Sequence, residues 1–405
     1  MVTQCVYCSG ICRRPFGSGL ILAAFTFIKI SKNIGGVIEV GEKPIEGERK
    51  AFMTGNEAVA WAALAAGADI MYGYPITPQN EIMQYWTRLA PKYEKKFLQT
   101  EDELSAGFTT IGGVLTGRRA FTATAGPGNV LMQEPLSMAE AMRIPIVVVV
   151  QQRGGPSTAT VIYSQQEVTL TCFGGNGEGL RVVYSTSSHQ ELYDYTIKSF
   201  NTAWKYRFPT FVLGDGYQAK MRESLVLYDP AERGVEMVHP EPFVGKPGVP
   251  GEERTASHFR NTYNIEEELL EVLTKDIEEY EQMKPEVIEY SELNTQDPDI
   301  LVIAHGVVFR SAAMAVDELT GSGEKVGYFR PITLRPFPQE QLRKAAAKAK
   351  QLLVVESAHG QLLKIVKENL YGLNVPIRTY LRPGVGITPE EIIDECKALL
   401  AGKEA

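Results

Sequence analysis

Residues that could do chemistry gather in four short runs of the chain. The first is Gly73-Tyr74-Pro75-Ile76-Thr77-Pro78, the second Thr100-Glu101-Asp102-Glu103. Pro75 and Pro78 fix their own φ and restrict the residues before them, so Thr77 is held between two stiff points with its hydroxyl aimed. Glu103 opens a helix with a carboxylate. Each run also has a plain structural reading. Pro78 suits the first position of a helix, and Thr100 with Glu103 matches a capping box whose carboxylate only satisfies a backbone N–H. The third run, Ala125-Gly126-Pro127-Gly128-Asn129, is a glycine-rich turn from strand to helix that lets backbone approach a ligand closely, or simply packs tightly. The fourth follows a row of valines: Gln152-Arg153-Gly154-Gly155-Pro156-Ser157-Thr158. An arginine fork matches a carboxylate, and Ser157 and Thr158 could complete such a pocket. A surface salt bridge is the alternative for Arg153.

Other signals are negative. The five histidines lack metal-ligand spacing, and neither a Walker loop nor a Gly-x-Ser-x-Gly elbow is present. Gly214-Asp215-Gly216 resembles the start of a diphosphate and magnesium motif. That motif needs a later Asn, and none occurs between Asn201 and Asn261, so the run is read as a turn closing a strand.

Positioning these groups requires strand ends. Helices over 81–89, 103–115, 128–142 and 190–206 alternate with strands over 70–72, 97–99, 120–123, 144–150, 182–184 and 210–213. Such βα crossovers give a parallel sheet covered on both faces, and ligands bind beyond the carboxyl ends of its strands. Prolines and glycines accumulate between 228 and 250, a connecting composition, and a charged helix is expected over 265–283. Strands over 300–304, 325–328, 351–355 and 376–380, with helices over 308–319, 339–349 and 389–400 and one more between the last two strands, make a second, smaller α/β domain. The expected division is an uncertain extension over 1–50, a first domain over 51–228, a linker and charged helix over 229–298, and a second domain over 299–405.

The chain has 405 residues, 44% of them apolar, long enough for two cores. With 41 basic against 49 acidic residues and a net charge of −8, it carries no basic stripe, so nucleic acid is not an expected partner. Five cysteines fit a reducing cytoplasm rather than a disulfide framework. Cys5, Cys8 and Cys12 stand before Arg13-Arg14 and an apolar run over 19–28. Three readings compete there: part of a metal centre, a leader segment, or an extension with folding beginning near Met53. The run is too short for a membrane span.

These segments together resemble the α subunit of 2-oxoacid:ferredoxin oxidoreductases. The likeness rests on Gly55-Asn56-Glu57-Ala58, the 74–78 loop, Gln99-Thr100-Glu101-Asp102-Glu103, Thr124-Ala125-Gly126-Pro127-Gly128, the 152–158 run, Arg330-Pro331-Ile332-Thr333-Leu334-Arg335-Pro336-Phe337-Pro338 and Val354-Val355-Glu356. It implies a doubly wound domain holding the pyrimidine side of thiamin diphosphate (ThDP), then a domain like the transketolase C-terminal one. It further implies oxidative decarboxylation of a 2-oxo acid with CoA. Expected partners are a β subunit gripping the diphosphate and Mg²⁺, γ and ferredoxin-like subunits with [4Fe-4S] clusters, and ferredoxin or another acceptor. By the same resemblance Glu103 hydrogen-bonds N1′ of the aminopyrimidine, and Tyr74, Pro75, Gly126 and Gly128 line the cofactor. Arg153 and Thr77 take catalytic and substrate-binding roles, with Ser157 and Thr158 beside them. An aromatic 2-oxo acid enzyme with another acceptor and a non-catalytic scaffold are the alternatives. Gln79-Asn80 and the 159–163 segment depart from the commonest family pattern, and Tyr163 could favour an aromatic substrate or pack in the interior.

Overall fold

A computed structural model describes residues 44–244 and 259–402; the cysteine cluster and apolar run near the start lie outside them. Folding begins before Met53. Ile45 is already in a hydrophobic core, and strand β1 (Arg49–Thr54) pairs antiparallel with β8 (Arg222–Leu227) as a separate two-stranded ribbon.

Between them runs a regular alternation. After α1 (Gly55–Ala65) come β2 (Ile70–Gly73), α2 (Asn80–Leu89), β3 (Lys96–Gln99), α3 (Glu103–Leu115) and β4 (Ala120–Thr124). The series continues with α4 (Pro127–Leu131), α5 (Gln133–Ala141), β5 (Val147–Gln152), α6 (Val168–Phe173), β6 (Val182–Ser185), α7 (His189–Tyr206), β7 (Thr210–Asp215) and α8 (Gly216–Lys220). The helix expected over 128–142 is two helices. Pro135 has no N–H to give to Leu131, and its ring fills the space beside Gly107 of α3, where a Cβ would lie 2.4 Å from Pro135 Cγ.

Strands β6, β7, β5, β4, β2 and β3 form one parallel sheet in that order. Its centre, Val147 to Val150, is fully buried, as expected for a strand covered on both faces. The charged helix α9 (Glu266–Val287) then leads to β9 (Tyr290–Leu293). A second sheet follows from β10 (Ile300–Ile303), α10 (Val308–Gly321), β11 (Val326–Pro331), β12 (Thr333–Arg335), α11 (Gln339–Ala346), β13 (Gln351–Glu356), α12 (Gln361–Asn369), β14 (Ile377–Leu381) and α13 (Pro389–Leu400). Its order is β14-β13-β10-β11-β9, with only β9 antiparallel.

Strand β12 does not join that second sheet. It crosses to the first and pairs antiparallel with β6, Thr333 opposite Tyr184. The proline-flanked 330–338 run thus ties the two halves together. Arg330 reinforces the junction with a two-pronged ion pair to Glu191 at 2.8 and 2.6 Å. His305, at the end of β10, is buried and hydrogen-bonded to Ser185; burial first, then the Arg330 charge, lowers its pKa to about 3 and keeps it neutral.

Candidate functional site

The four sequence runs meet at the carboxyl ends of β2, β3, β4 and β5. Capping at α3 differs from the capping-box expectation. Asp102, not Thr100, is the N-cap, accepting from the Ser105 N–H at 2.7 Å, while the Thr100 hydroxyl donates to the Asp102 carbonyl at 2.9 Å. With the cap supplied by its neighbour, the Glu103 carboxyl is free for another task. It is 4% exposed, and burial, with a smaller push from Asp102, raises its proton affinity above the ordinary glutamate range against the pull of its own backbone N–H.

What surrounds it is the glycine turn. Gly126 adopts φ +51°, and a Cβ there would lie 2.6 Å from Arg153 Cδ. A Cβ on Gly128 would lie 2.3 Å from Glu103 Oε1 and 2.4 Å from Thr124 Oγ1. Two glycines, with Pro127 between them, therefore give up side-chain space to Arg153 on one side and Glu103 on the other. Thr124 Oγ1 is buried without a hydrogen-bond partner among the described residues.

Among the described residues Arg153 makes no surface salt bridge. It is 5% exposed, and its guanidinium donates to the carbonyls of Thr77, at 2.8 Å, and Thr158, while its buried Nε–H is unpartnered. It is the Thr77 carbonyl that makes this contact. The loop bearing Thr77 is braced from two sides: Gln79 Nε2 donates to the Tyr74 carbonyl at 2.9 Å and Asn56 Nδ2 to the Pro78 carbonyl at 2.7 Å. Helix α2 begins at Asn80, so Pro78 is not its first residue. Tyr74 is half-buried and Pro75 exposed, as are Ser157 and Thr158. Gln79, one of the departures from the family pattern, is buried and folds the loop. Tyr163 is half-buried, stacks on Tyr217 at 4.7 Å and lies beside Gly386 of the second half, so it packs between the halves.

Sequence reasoning missed Glu167. This carboxylate, 5% exposed, accepts from the Gly126 N–H at 2.8 Å, the Arg153 N–H at 2.8 Å and Asn129 Nδ2 at 3.1 Å. It lies in a polar Ser164-Gln165-Gln166 stretch with no motif around it, so only the three-dimensional convergence reveals it. Asp215 caps α8 by accepting from the Gln218 N–H at 2.8 Å, in keeping with a turn closing its strand; burial raises its pKa to about 7. Among the described residues, no cluster of His, Cys, Asp or Glu could hold a metal, and Cys172 and Cys396 are buried free thiols.

Comparison with known proteins decides the family. Residues 61–292 match the family described as pyruvate flavodoxin/ferredoxin oxidoreductase, thiamine diphosphate-binding, and residues 298–392 match pyruvate:ferredoxin oxidoreductase core domain II. The 2-oxoglutarate synthase subunit KorA of Methanocaldococcus jannaschii is 36% identical over 329 residues, 77% of this chain and 89% of that protein. This chain belongs to the 2-oxoacid:ferredoxin oxidoreductase α subunits. The family's members are oxidoreductases acting on the oxo group of their donors. The ketoisovalerate oxidoreductase subunit VorB of Methanothermobacter marburgensis is 34% identical over 315 residues, 77% of this chain and 88% of that one. Among solved structures, the 2-oxoglutarate:ferredoxin oxidoreductase of Magnetococcus marinus, with 2-oxoglutarate, coenzyme A and succinyl-CoA bound, aligns at TM-score 0.76 and 26% identity. The alignment covers 86% of this chain and 65% of that one. A split-gene transketolase aligns at TM-score 0.50 and 13% identity over 84% of this chain and 91% of that one, a likeness of fold alone. Among the described residues of this α subunit, no helix is long and apolar enough to cross a membrane.

Proposed function

We propose that this α subunit supplies the pyrimidine-facing half of a ThDP site in a cytoplasmic, multi-subunit enzyme that oxidatively decarboxylates a 2-oxo acid to its acyl-CoA. The observation that carries the proposal is the pairing of Glu103 and Arg153 across the 126–128 turn. A buried carboxyl of raised proton affinity beside an unpartnered threonine hydroxyl suits an aminopyrimidine, which offers both hydrogen-bond donors and acceptors. The residues present therefore fit the group.

Bound there, ThDP supplies the nucleophile and the electron sink that a 2-oxo acid needs to lose carbon dioxide. The chain's own residues do the rest. Glu103 holds a proton at its carboxyl and shares it with the ring nitrogen N1′. Tyr74, Pro75, Gly126 and Gly128 would line the cofactor. Two of the five Arg153 N–H donors are spent on the Thr77 and Thr158 carbonyls, which aims the guanidinium. The remaining donors, the buried Nε–H among them, are left for the substrate carboxylate. Thr77, Ser157 and Thr158 border the substrate side.

The other half of the site belongs to partners in this reading. No motif here grips a diphosphate, since Asp215 is spent as a helix cap. Leu98, Val130 and Leu131, near Glu103 and Gly128, are exposed apolar residues suited to cover by a β subunit carrying the diphosphate and Mg²⁺. Electrons would leave through [4Fe-4S] clusters of γ and ferredoxin-like subunits to ferredoxin. Purifying the complex and scanning dicarboxylic, branched and aromatic 2-oxo acids for acceptor reduction, with and without CoA, tests the proposal. Oxo-acid-dependent reduction that requires ThDP supports it; no reduction with any of the acids overturns it.

A further inference from the structure

The structure assigns Glu167 a positioning role: its carboxylate locks the cofactor-side turn at Gly126 to the substrate-side loop at Arg153, so that both halves of the site keep one geometry. This rests on the function proposed above. Oε1 accepts from the Gly126 N–H and from Asn129 Nδ2, while Oε2 accepts from the Arg153 N–H. Each oxygen thus serves a different loop. The two loops leave separate strands, β4 and β5, and are joined by this carboxylate and by the packing of Arg153 on Gly126. An acceptor-only group is required, because every partner is a donor.

Glu167 is itself tied to the second half of the chain. Gln165, two residues before it, pairs with Ser357 through both backbone and side chain, at 3.0 and 2.9 Å, and donates to the His305 carbonyl at 2.8 Å. Gln166 receives Gln361 Nε2 at 2.6 Å through its carbonyl and accepts the Gly155 N–H at 3.0 Å. The 165–167 tripeptide therefore fastens the two site loops to the ends of β10 and β13, and Glu167 is the member that reaches both loops.

Glu167→Gln in the assembled holoenzyme is the test. An amide places its own N–H donors against either the Arg153 N–H or the Gly126 and Asn129 donors, so one loop must be released whichever way it turns. The expected result is a KM for the 2-oxo acid raised about tenfold or more, with the KM for CoA unchanged, and faster amide exchange at Gly126 and Arg153 but not at Val148 to Val150. Glu167→Asp, which keeps an acceptor-only group, should recover most of the loss. Unchanged KM and unchanged exchange at the two amides would overturn the inference, as would exchange that rises equally across the core, which marks a merely structural residue. Glu103→Gln run alongside separates the two claims. If it is inactive while Glu167→Gln behaves as wild type, the site reading stands and the positioning role falls; if the wild-type complex is itself inactive on every 2-oxo acid, the function falls.

Discussion

Gly128→Ala perturbs the geometry of the site far more than the stability of the fold. Glycine within a helix ordinarily costs about 0.5–1 kcal/mol relative to alanine, so on propensity alone the change should stabilise α4. At this position the added methyl would sit 2.3 Å from Glu103 Oε1 and 2.4 Å from Thr124 Oγ1. Restoring ordinary contact forces the Glu103 carboxyl back by about 1 Å, a misplacement that can cost roughly 10²-fold in rate when the displaced group must meet a reacting partner. The expected outcome is an assembled complex destabilised by no more than the about 1–3 kcal/mol that overpacking costs, with kcat lowered by about 10²-fold. Gly112→Ala is the internal control. That residue is in α3 itself, but its Cβ would meet nothing within 4 Å, so activity should be unchanged and stability equal or slightly raised. The assay is oxo-acid-dependent acceptor reduction by the purified complexes beside thermal unfolding. Gly128→Ala turnover within a factor of about two of wild type would show that Glu103 need not stand where this account puts it.

Three further outcomes follow from the packing. Arg330→Ala removes both guanidinium bonds to Glu191, a part-exposed carboxylate that keeps the Ser187 N–H and hydroxyl as donors, and should lower stability to denaturant by about 1–3 kcal/mol. Asp215 has a folded pKa of about 7, above its unfolded value of about 4, so its contribution to stability is greatest below the lower value and is lost as pH rises through the higher one. Asp215→Asn keeps a cap-competent oxygen without the charge; it should match wild type near pH 4 and unfold at higher denaturant near pH 8. Tyr163→Ala should loosen the packing against Tyr217 and Gly386, lowering the unfolding midpoint while leaving the ranking of 2-oxo acids by kcat/KM unaltered; a changed ranking would put Tyr163 in the substrate pocket.

Much of this architecture was legible because it is locally encoded. The valines of β5 announce a doubly covered strand, and the start of α3 at Glu103 follows from the polar run before it. What escaped is non-local. Strands β1 and β8 pair across the whole first domain, and β12 has three residues among prolines, too few for any alternation to show. The cause of the break between α4 and α5 at Met132 lay in plain view at Pro135, yet a surrounding helical pattern outweighed it. At the site, the glutamate beginning α3 and the arginine after β5 were readable from residue type and place. Glu167 was not, since a lone carboxylate in a polar loop acquires meaning only from the three donors that converge on it. The capping assignment failed for a related reason: Thr100 and Asp102 both suit an N-cap, and the chain's path chose Asp102.

Turnover of Glu103→Gln in the complete complex decides whether this carboxyl works on the cofactor or on its own helix. Glutamine fills the same space, and because Asp102 supplies the cap, the fold and assembly should survive. The expected result is a correctly assembled enzyme whose oxo-acid-dependent acceptor reduction falls by about 10²–10⁴-fold. Near-normal turnover by that variant would contradict it.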